Sequence, residues 1–395
     1  MESDEAAQND IASGALSIGV QSSQMSRGRT SNATRAATVM RNMQRLRDWV
    51  VALIIGDASR RDDDRGVGDT RSYNPELTTA LTVPGSGASR GSAWVPRKPR
   101  LPPRVRGDGP TIGIITALPE ENAALSELID EPHRIDIAGD GAAYLIGTVP
   151  SSLPGCPHRV VLTLLTETGN AAAAQGCAHL MRSFPSLGHI LMVGIAAGIP
   201  APLSPDKHVA LGDLVISTWG LVDYDHVYEG PDGPRLRQPF PSPSPTLCAA
   251  AKTLERKETL GDRPWKALLA EAERRLPDFA RPPTHTDPLG SCGDLPRVHY
   301  GRIGSADRAL RNAAVRDQLA ARHDLHAIEM EGKGVGLAAF AAGREWFIVR
   351  AISDYGDEHT DRRWRKYASL AAAAYTRALL GECQPTRSHR PSAEA

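Results

Sequence analysis

The chain has 395 residues and balances 46 Lys and Arg against 46 Asp and Glu, so its formal net charge at pH 7 is zero. Proteins that bind nucleic acids or membrane surfaces in general carry a basic excess, and this composition argues against both classes. Hydrophobic residues make up 41% of the chain. Even so, no run approaches the roughly 18 consecutive apolar residues of a membrane span.

Three further features of the composition indicate the compartment and the chemistry. The acidic start, Met1-Glu-Ser-Asp-Glu, has no apolar core behind it, which argues against a secretory signal. The five cysteines never stand at CxxC spacing, which argues against a disulfide framework and a structural zinc site. We therefore expect a cytoplasmic protein that needs no metal and no cofactor.

Residues 1–110 differ in composition from the rest of the chain. They are rich in Ser, Gly, Arg and Asp, which predicts a largely disordered region, and residues 96–104 are Pro-rich like an extended linker. One helix is predicted at about 35–56, because five apolar residues there recur at helical spacing: Val39, Met43, Leu46, Val50 and Leu53. A disordered tail is predicted at 383–395.

Residues 111–382 form the predicted globular domain. Apolar runs predict buried strands at 111–118, 159–165, 189–194, 214–219 and 346–354. Helices are predicted at 119–129, 170–182 and 362–380. This alternation indicates an α/β domain whose mainly parallel sheet is covered on both faces. Residues 229–300 are Pro-rich and are interpreted as an irregular insertion with one charged helix at 265–275.

Polar and glycine residues follow several of these strands, where ligands collect in open α/β sheets. The segments are Ala117-Leu-Pro-Glu-Glu, Thr166-Glu-Thr-Gly-Asn, Gly194-Ile-Ala-Ala-Gly and Ser353-Asp-Tyr-Gly-Asp. A fifth segment, Ile328-Glu-Met-Glu, places acids in an apolar stretch, where their burial is costly unless they are paired or used. On the residues alone, we expect a carboxylate site for a small polar ligand, and no particular reaction.

In this order, and with Leu211-Gly-Asp-Leu-Val-Ile-Ser, the segments resemble the nucleoside phosphorylase/nucleosidase superfamily. Within it, they are most similar to the methylthioadenosine/S-adenosylhomocysteine nucleosidase-like domains of bacterial effector proteins. The resemblance covers residues 111–382. It implies a three-layer α/β/α sandwich with a mixed central sheet, a purine nucleoside or nucleotide as ligand, and a homodimer.

The resemblance also assigns four catalytic residues. Glu121 falls where the family orients and deprotonates a water, and its neighbour Glu120 remains an alternative. Asp354 matches the acid that protonates purine N7, a step worth roughly 10²–10⁴-fold in rate. Glu331 matches the residue that binds the ribose hydroxyls and stabilises positive charge on the sugar. Arg350 is placed either to hold the water or to pair with Glu121.

Substrate contacts are predicted around these four residues. The predicted set is Met330, Gly194, Thr168, Gly169, Asp307, Arg308, Ser353, Asp225 and His226. The family aromatic that stacks on the purine is replaced here by Ala309 or Arg308, so base recognition is altered. Several basic residues are candidates to meet a phosphorylated 5′ end, or are solvated helix charges: Arg308, Arg311, Arg362, Arg363 and Lys366.

One departure from the family bears on the reaction. Phosphorylases of this superfamily place an arginine two residues before the glycine of the strand end, where this chain has Met192 before Gly194. Without a guanidinium fork, inorganic phosphate lacks a bidentate partner, so hydrolysis is favoured over phosphorolysis.

The predicted function is that of a purine nucleosidase that frees adenine from a methylthioadenosine- or S-adenosylhomocysteine-like nucleoside, or from ATP or AMP. Residues 9–25 resemble short amyloid-forming motifs of immune proteins, or are an ordinary flexible tail. If the motif is real, the chain is an effector in antiphage defence, triggered by self-assembly or a signalling partner. The alternatives are a catalytically weak ligand-sensing or assembly module and a phosphate-dependent phosphorylase.

Overall fold

The computed structural model describes residues 109–201, 203–231, 233–283, 296–359 and 362–385. The predicted disordered region, its helix at about 35–56, the linker and the assembly motif fall within residues 1–108, which lie outside the described residues. Most of the predicted tail, residues 386–395, lies outside them as well.

Thirteen strands are described. They are β1 (Ile112–Thr116), β2 (Asp130–Asp136), β3 (Ala143–Val149), β4 (His158–Leu164), β5 (His189–Gly198), β6 (Leu214–Ile216), β7 (Leu221–Asp223), β8 (Val227–Tyr228), β9 (Arg235–Leu236), β10 (Val298–Tyr300), β11 (Arg302–Ser305), β12 (Leu325–Glu329) and β13 (Glu345–Asp354).

Seven α-helices and one short 3₁₀ helix, Pro277–Phe279, accompany these strands in the described ranges. The α-helices are α1 (Pro119–Glu127), α2 (Asn170–Ser183), α3 (Pro245–Thr259), α4 (Pro264–Arg275), α5 (Ala313–His323), α6 (Gly332–Ala341) and α7 (Arg365–Gly381). None of the helices in the described part of the chain has the length and apolar character that crossing a membrane requires.

Eleven of the strands form one mixed sheet. Eight of them follow the order β10-β6-β13-β5-β1-β4-β3-β2, and β7, β11 and β12 branch from it, while β8 and β9 pair separately. The central strand β5 is parallel to β1 and β13, and its far end pairs antiparallel with β12, which leads on to β11 and β7. Helices α2 and α6 pack together, and α1, α3 and α4 all pack on α7. The predicted three-layer α/β/α sandwich with a mixed sheet is confirmed.

The burial of the strands explains the apolar runs of the sequence. All five residues of β1 are buried, and β13 is buried over eight of its ten residues, because both strands lie inside the sheet with helices above and below. The edge strand β2 is exposed over nearly its whole length and carries charged residues. Such charges discourage pairing with another chain.

The interpretation of residues 229–300 as an irregular surface insertion is wrong in one respect. Besides the predicted helix, the segment contains α3, which begins at Pro245 after the N-cap Ser244, whose hydroxyl accepts the backbone N–H of Leu247. Trp265 at the start of α4 is completely buried in the main core. The apolar residues of α3 recur at helical spacing, and they anchor the segment on α7.

The domain also extends slightly beyond its predicted end. Cys383 is buried, and its backbone carbonyl accepts a hydrogen bond of 2.8 Å from the N–H of Ser152. The chain is therefore still part of the packed domain at the first residue of the predicted tail.

Candidate active site

The three carboxylates predicted to be catalytic come from distant parts of the chain and line one cavity of about 280 Å³. Glu121 lies in the first turn of α1, Glu331 precedes α6, and Asp354 ends β13. The cavity opens at the carboxyl ends of the parallel strands β1, β5 and β13, where ligands collect in α/β sheets. Its volume is just below the roughly 300–1,000 Å³ of typical small-molecule sites.

Backbone N–H groups fix the orientation of Glu121. Its Oε2 accepts hydrogen bonds from Ala117 N at 2.8 Å and Leu118 N at 2.9 Å, and its Oε1 accepts one from Ile195 N at 2.8 Å. A carboxylate has about four acceptor positions. Three of them are taken by described residues, so one remains for a small molecule in the cavity.

Gly194 provides the space that Glu121 occupies. A Cβ at this position would lie 2.1 Å from Glu121 Oε1 and 2.7 Å from Arg350 Nη1. Any side chain would therefore displace the carboxylate or the guanidinium. Gly194 belongs to the site as the wall behind Glu121, and it does not line the cavity itself.

Arg350 lies fully buried beneath the cavity and joins three glutamates. Its Nη2 donates to Glu331 Oε2 at 3.1 Å and to Glu329 Oε2, and its Nη1 lies 3.8 Å from Glu121 Oε1. Glu331 also accepts the N–H of Gly169 at 3.0 Å. One buried cation thus holds the three carboxylates in a fixed relation.

Burial within this cluster shifts the pKa values of its members. Burial raises the pKa of Glu331 to about 7, although the charge of Arg350 opposes the shift. Burial also raises the pKa of Glu121, against the charge of Arg350 and the three backbone hydrogen bonds. Burial alone would lower the pKa of Arg350, but the charges of Glu329, Glu331 and Glu121 outweigh it and raise that pKa. Raised carboxylate pKa values in a cavity are typical of sites that move protons.

Asp354 is less buried than the two glutamates. Its Oδ2 accepts the hydroxyl of Ser353 at 2.8 Å, and its Oδ1 accepts the backbone N–H of Gly356 at 2.9 Å. The pairing of β13 with β5 shifts register between Ile352 and Asp354. The carboxyl group therefore stands in the cavity with acceptor positions left for a ligand.

The remaining cavity wall combines apolar and small polar residues with basic ones. Met330, Thr168 and Ser353, all predicted to contact the substrate, line the cavity. Three arginines line it too, and they are Arg308, Arg311 and Arg365. Among the described residues, no group of three or more His, Cys, Asp or Glu side chains is arranged to hold a metal ion.

Several other predicted residues lie near the cavity without lining it. Asp307 accepts the N–H of Asn170 at 2.6 Å and so caps the start of α2, next to Gly169. Asp225 forms an ion pair of 2.6 Å with Arg308. Neither His226 nor Glu120, the alternative to Glu121, lines the cavity.

Two residues of the site escaped the sequence analysis. Glu329 accepts the N–H groups of Glu331 at 3.1 Å and Gly332 at 2.8 Å, and thereby supports both α6 and Arg350. The sequence did contain an indication of this role, because an acid in an apolar strand, two residues before Glu331, is costly to bury without a partner. Arg365 gave no such signal, since its position in the cavity depends on where α7 begins.

The fold and the site define an α/β enzyme domain built around a carboxylate cavity, and comparison with known proteins identifies its family. Residues 111–380 match the model of the phosphorylase superfamily, so the chain belongs to that superfamily. The predicted superfamily is confirmed.

Three relatives show the range of proteins that carry this domain. A nucleotide-binding leucine-rich repeat (NLR)-like protein of Hyaloscypha variabilis is 29% identical over 72% of the chain and 30% of its own length. A 5′-methylthioadenosine/S-adenosylhomocysteine nucleosidase of Mycobacterium bovis is 28% identical over 68% of the chain and 95% of its own. The ATP nucleosidase Cap17 of Escherichia coli is 27% identical over 68% of the chain and 50% of its own length. The chain thus spans less than a third of the first relative and half of the last.

A solved structure agrees on the fold. The 5′-methylthioadenosine/S-adenosylhomocysteine nucleosidase of Helicobacter pylori, in complex with an inhibitor, superposes with a TM-score of 0.50 at 18% identity. The match covers 69% of this chain and 98% of that chain.

Proposed function

We propose that the domain is a purine nucleosidase, which uses water to break the N-glycosidic bond of a purine nucleoside or nucleotide and releases the free base, adenine in the first instance. The observation that carries this proposal is the convergence of Glu121, Glu331 and Asp354 on one cavity. A module that merely binds a ligand would not need three acids from separate elements around a single small space.

Each carboxylate has a role that its surroundings support. Asp354 gives a proton to purine N7, so that the electron pair of the breaking C1′–N9 bond is accepted by a neutral base. Glu331 accepts hydrogen bonds from the ribose hydroxyls and stabilises the positive charge that develops on the sugar. Glu121 offers its free acceptor position to a water, whose oxygen bonds to C1′ while its proton passes to the carboxylate.

Arg350 is proposed as a positioning residue. It is fully buried and does not line the cavity, so it acts on the substrate only through the glutamates. The sequence left two roles open for it, holding the water or pairing with Glu121. The ion pairs with Glu121, Glu329 and Glu331 favour the second.

Hydrolysis is favoured over phosphorolysis by the charge at the floor of the cavity, which is the part formed by Glu121, Glu329 and Glu331. Three glutamates surround one arginine there, and Met192, two residues before Gly194 in β5, is buried and apolar. An inorganic phosphate next to Glu121 would meet carboxylates and no open guanidinium fork. Water carries no charge and meets no such repulsion.

The experiment measures release of the base from adenosine, methylthioadenosine, S-adenosylhomocysteine, AMP and ATP, with and without phosphate. We expect release that does not depend on phosphate, with ribose or its 5′-substituted form as the other product. Asp354→Asn and Glu121→Gln should each lower kcat by about 10²–10⁴-fold. Glu120→Gln is the matched control, because Glu120 adjoins Glu121 but lies outside the cavity, and it should retain full activity.

Three other outcomes would contradict the proposal. Release that requires phosphate and yields a sugar 1-phosphate would identify a phosphorylase. Full activity of Asp354→Asn would show that Asp354 is not the general acid. Saturable binding of these compounds without any release would favour the ligand-sensing module. The homodimer, the cytoplasmic location and the defence role stay predictions.

A further inference from the structure

The cavity is lined by side chains of opposite charge. Glu121, Glu329 and Glu331 form its floor, and it is also lined by Asp354, Arg308, Arg311 and Arg365. The three glutamates are buried and paired with Arg350, and Asp354 is partly buried, whereas Arg308 and Arg311 are exposed and Arg365 is half-buried. The arginines therefore form a basic rim at the open side of the cavity.

Two of the rim arginines have no charged partner among the described residues. Arg308 pairs with Asp225 at 2.6 Å, but Arg311 and Arg365 form no ion pair with any residue that the structure describes. Arg365 is also the first residue of α7, so the partial positive charge of the helix N-terminus adds to its own. Like charges that share one cavity repel each other, and an anion between them removes that repulsion.

We propose that the substrate is a nucleoside 5′-phosphate, and that Arg311 and Arg365 bind the phosphate group next to the sugar. Guanidinium groups suit this ligand, because their planar forks match two phosphate oxygens at once. The inference rests on the proposed function, in which Asp354 contacts the base and Glu331 binds the ribose hydroxyls. The 5′ carbon is then the position of the sugar that remains for a substituent at the rim.

The same reasoning excludes the opposite placement of the anion. A phosphate at the floor would displace water from Glu121 and meet three carboxylates within a buried cluster. At the rim it meets cations that are open to the cavity. A nucleoside with an uncharged 5′ group would leave the two arginines without a partner.

Arg308 extends the basic rim towards a second cavity. That cavity has a volume of about 390 Å³ and shares Arg308 with the first, while Arg322 and His323 line it further out. Asp225 and Glu229 also line it, so its charge is mixed. It supplies room for a longer phosphate chain, whereas the selectivity for an anion arises at Arg311 and Arg365.

The test compares kcat/KM for AMP, ATP and adenosine in the full chain and in two variants, Arg311→Gln and Arg365→Gln. We expect the wild type to prefer AMP over adenosine by at least about tenfold. Each variant should lose about 10- to 100-fold with AMP, the effect of one charge-assisted hydrogen bond, and change little with adenosine. Arg256→Gln is the control, because Arg256 is exposed on α3 and does not line the cavity.

Calorimetric binding of AMP and adenosine to the Asp354→Asn variant gives a second readout that needs no turnover. There the two rim substitutions should weaken AMP binding and leave adenosine binding unchanged. Equal use of AMP and adenosine by the wild type, or equal losses with both in the rim variants, would overturn the inference. If Asp354→Asn still abolished adenosine cleavage, the proposed function would survive that result. Tight AMP binding that the rim substitutions weaken, without cleavage of any substrate, would overturn the proposed function and leave the phosphate site standing.

Discussion

Replacing Arg350 with methionine should destabilise the domain strongly, because it leaves three buried glutamates without their cation. Methionine keeps much of the length of the side chain and removes the charge. Breaking one buried ion pair costs about 3–5 kcal/mol. Here the guanidinium serves Glu331 at 3.1 Å, Glu121 at 3.8 Å and Glu329 as well.

The size of the effect is limited by proton uptake. The three glutamates can take up protons, and each unit of pKa shift corresponds to about 1.4 kcal/mol. The pKa of Glu331 already lies at about 7 in the presence of Arg350, and it should rise further without it. We therefore expect a loss of about 4 kcal/mol at pH 8 and a smaller loss at pH 5.5. For a domain of this size, 4 kcal/mol corresponds to a fall in Tm of about 8–16 °C.

Urea unfolding at the two pH values, followed by circular dichroism, measures this loss. Arg134→Met is the control, because Arg134 and Asp136 form an exposed pair, and it should change the unfolding free energy by less than about 1 kcal/mol. Adding Glu329→Gln to Arg350→Met should recover part of the loss. An Arg350→Met protein within about 1 kcal/mol of the wild type at pH 8, or one destabilised more at pH 5.5, would refute the argument.

Two further predictions concern the same cluster. Since burial raises the pKa of Glu331 to about 7, the folded state binds a proton that the unfolded chain has lost, so the stability of the ligand-free domain should fall as the pH rises from about 4.5 through 7. Tm measured against pH should show this slope, and Glu331→Gln should flatten it. Gly194→Ala should abolish base release and lower stability by about 1–3 kcal/mol or more, because its Cβ would lie 2.1 Å from Glu121 Oε1. Gly188→Ala is its control, with the nearest atom 3.9 Å away, and wild-type behaviour of both variants would contradict the close packing.

The fold could be predicted where burial is complete and not where it is partial. Strands such as β1 and β13 are continuous apolar runs, and their positions followed from the sequence to within one or two residues. The edge strand β2 and its neighbour β3 were missed, and β2 is almost entirely polar and exposed. Helix α3 was missed because the prolines around it dominated the interpretation, although its N-cap Ser244 and its first-turn Pro245 are ordinary helix-start signals.

The candidate site depends on geometry that one sequence does not contain. The ordered motifs indicated Glu121, Glu331 and Asp354, but the choice between Glu121 and Glu120 depended on which of them faces the cavity. Predicted contacts at Asp307 and Asp225 have partners of their own, the α2 N-terminus and Arg308. Those partners are more than eighty residues away in the sequence, so neither pairing could be inferred from local patterns.

The arginines of the site show how burial divides one residue type between two tasks. Arg350 is fully buried among acids, so its charge is neutralised by the glutamates that it holds in place. Arg311 and Arg365 line the cavity without an ion-pair partner in the described ranges, so their charge is available to a ligand. This division supports both proposals at once: an anion is repelled from the floor, where phosphate would act as the attacking group, and is attracted at the rim, where phosphate would be a substituent. A single cavity can therefore favour water as the nucleophile and a nucleotide as the substrate.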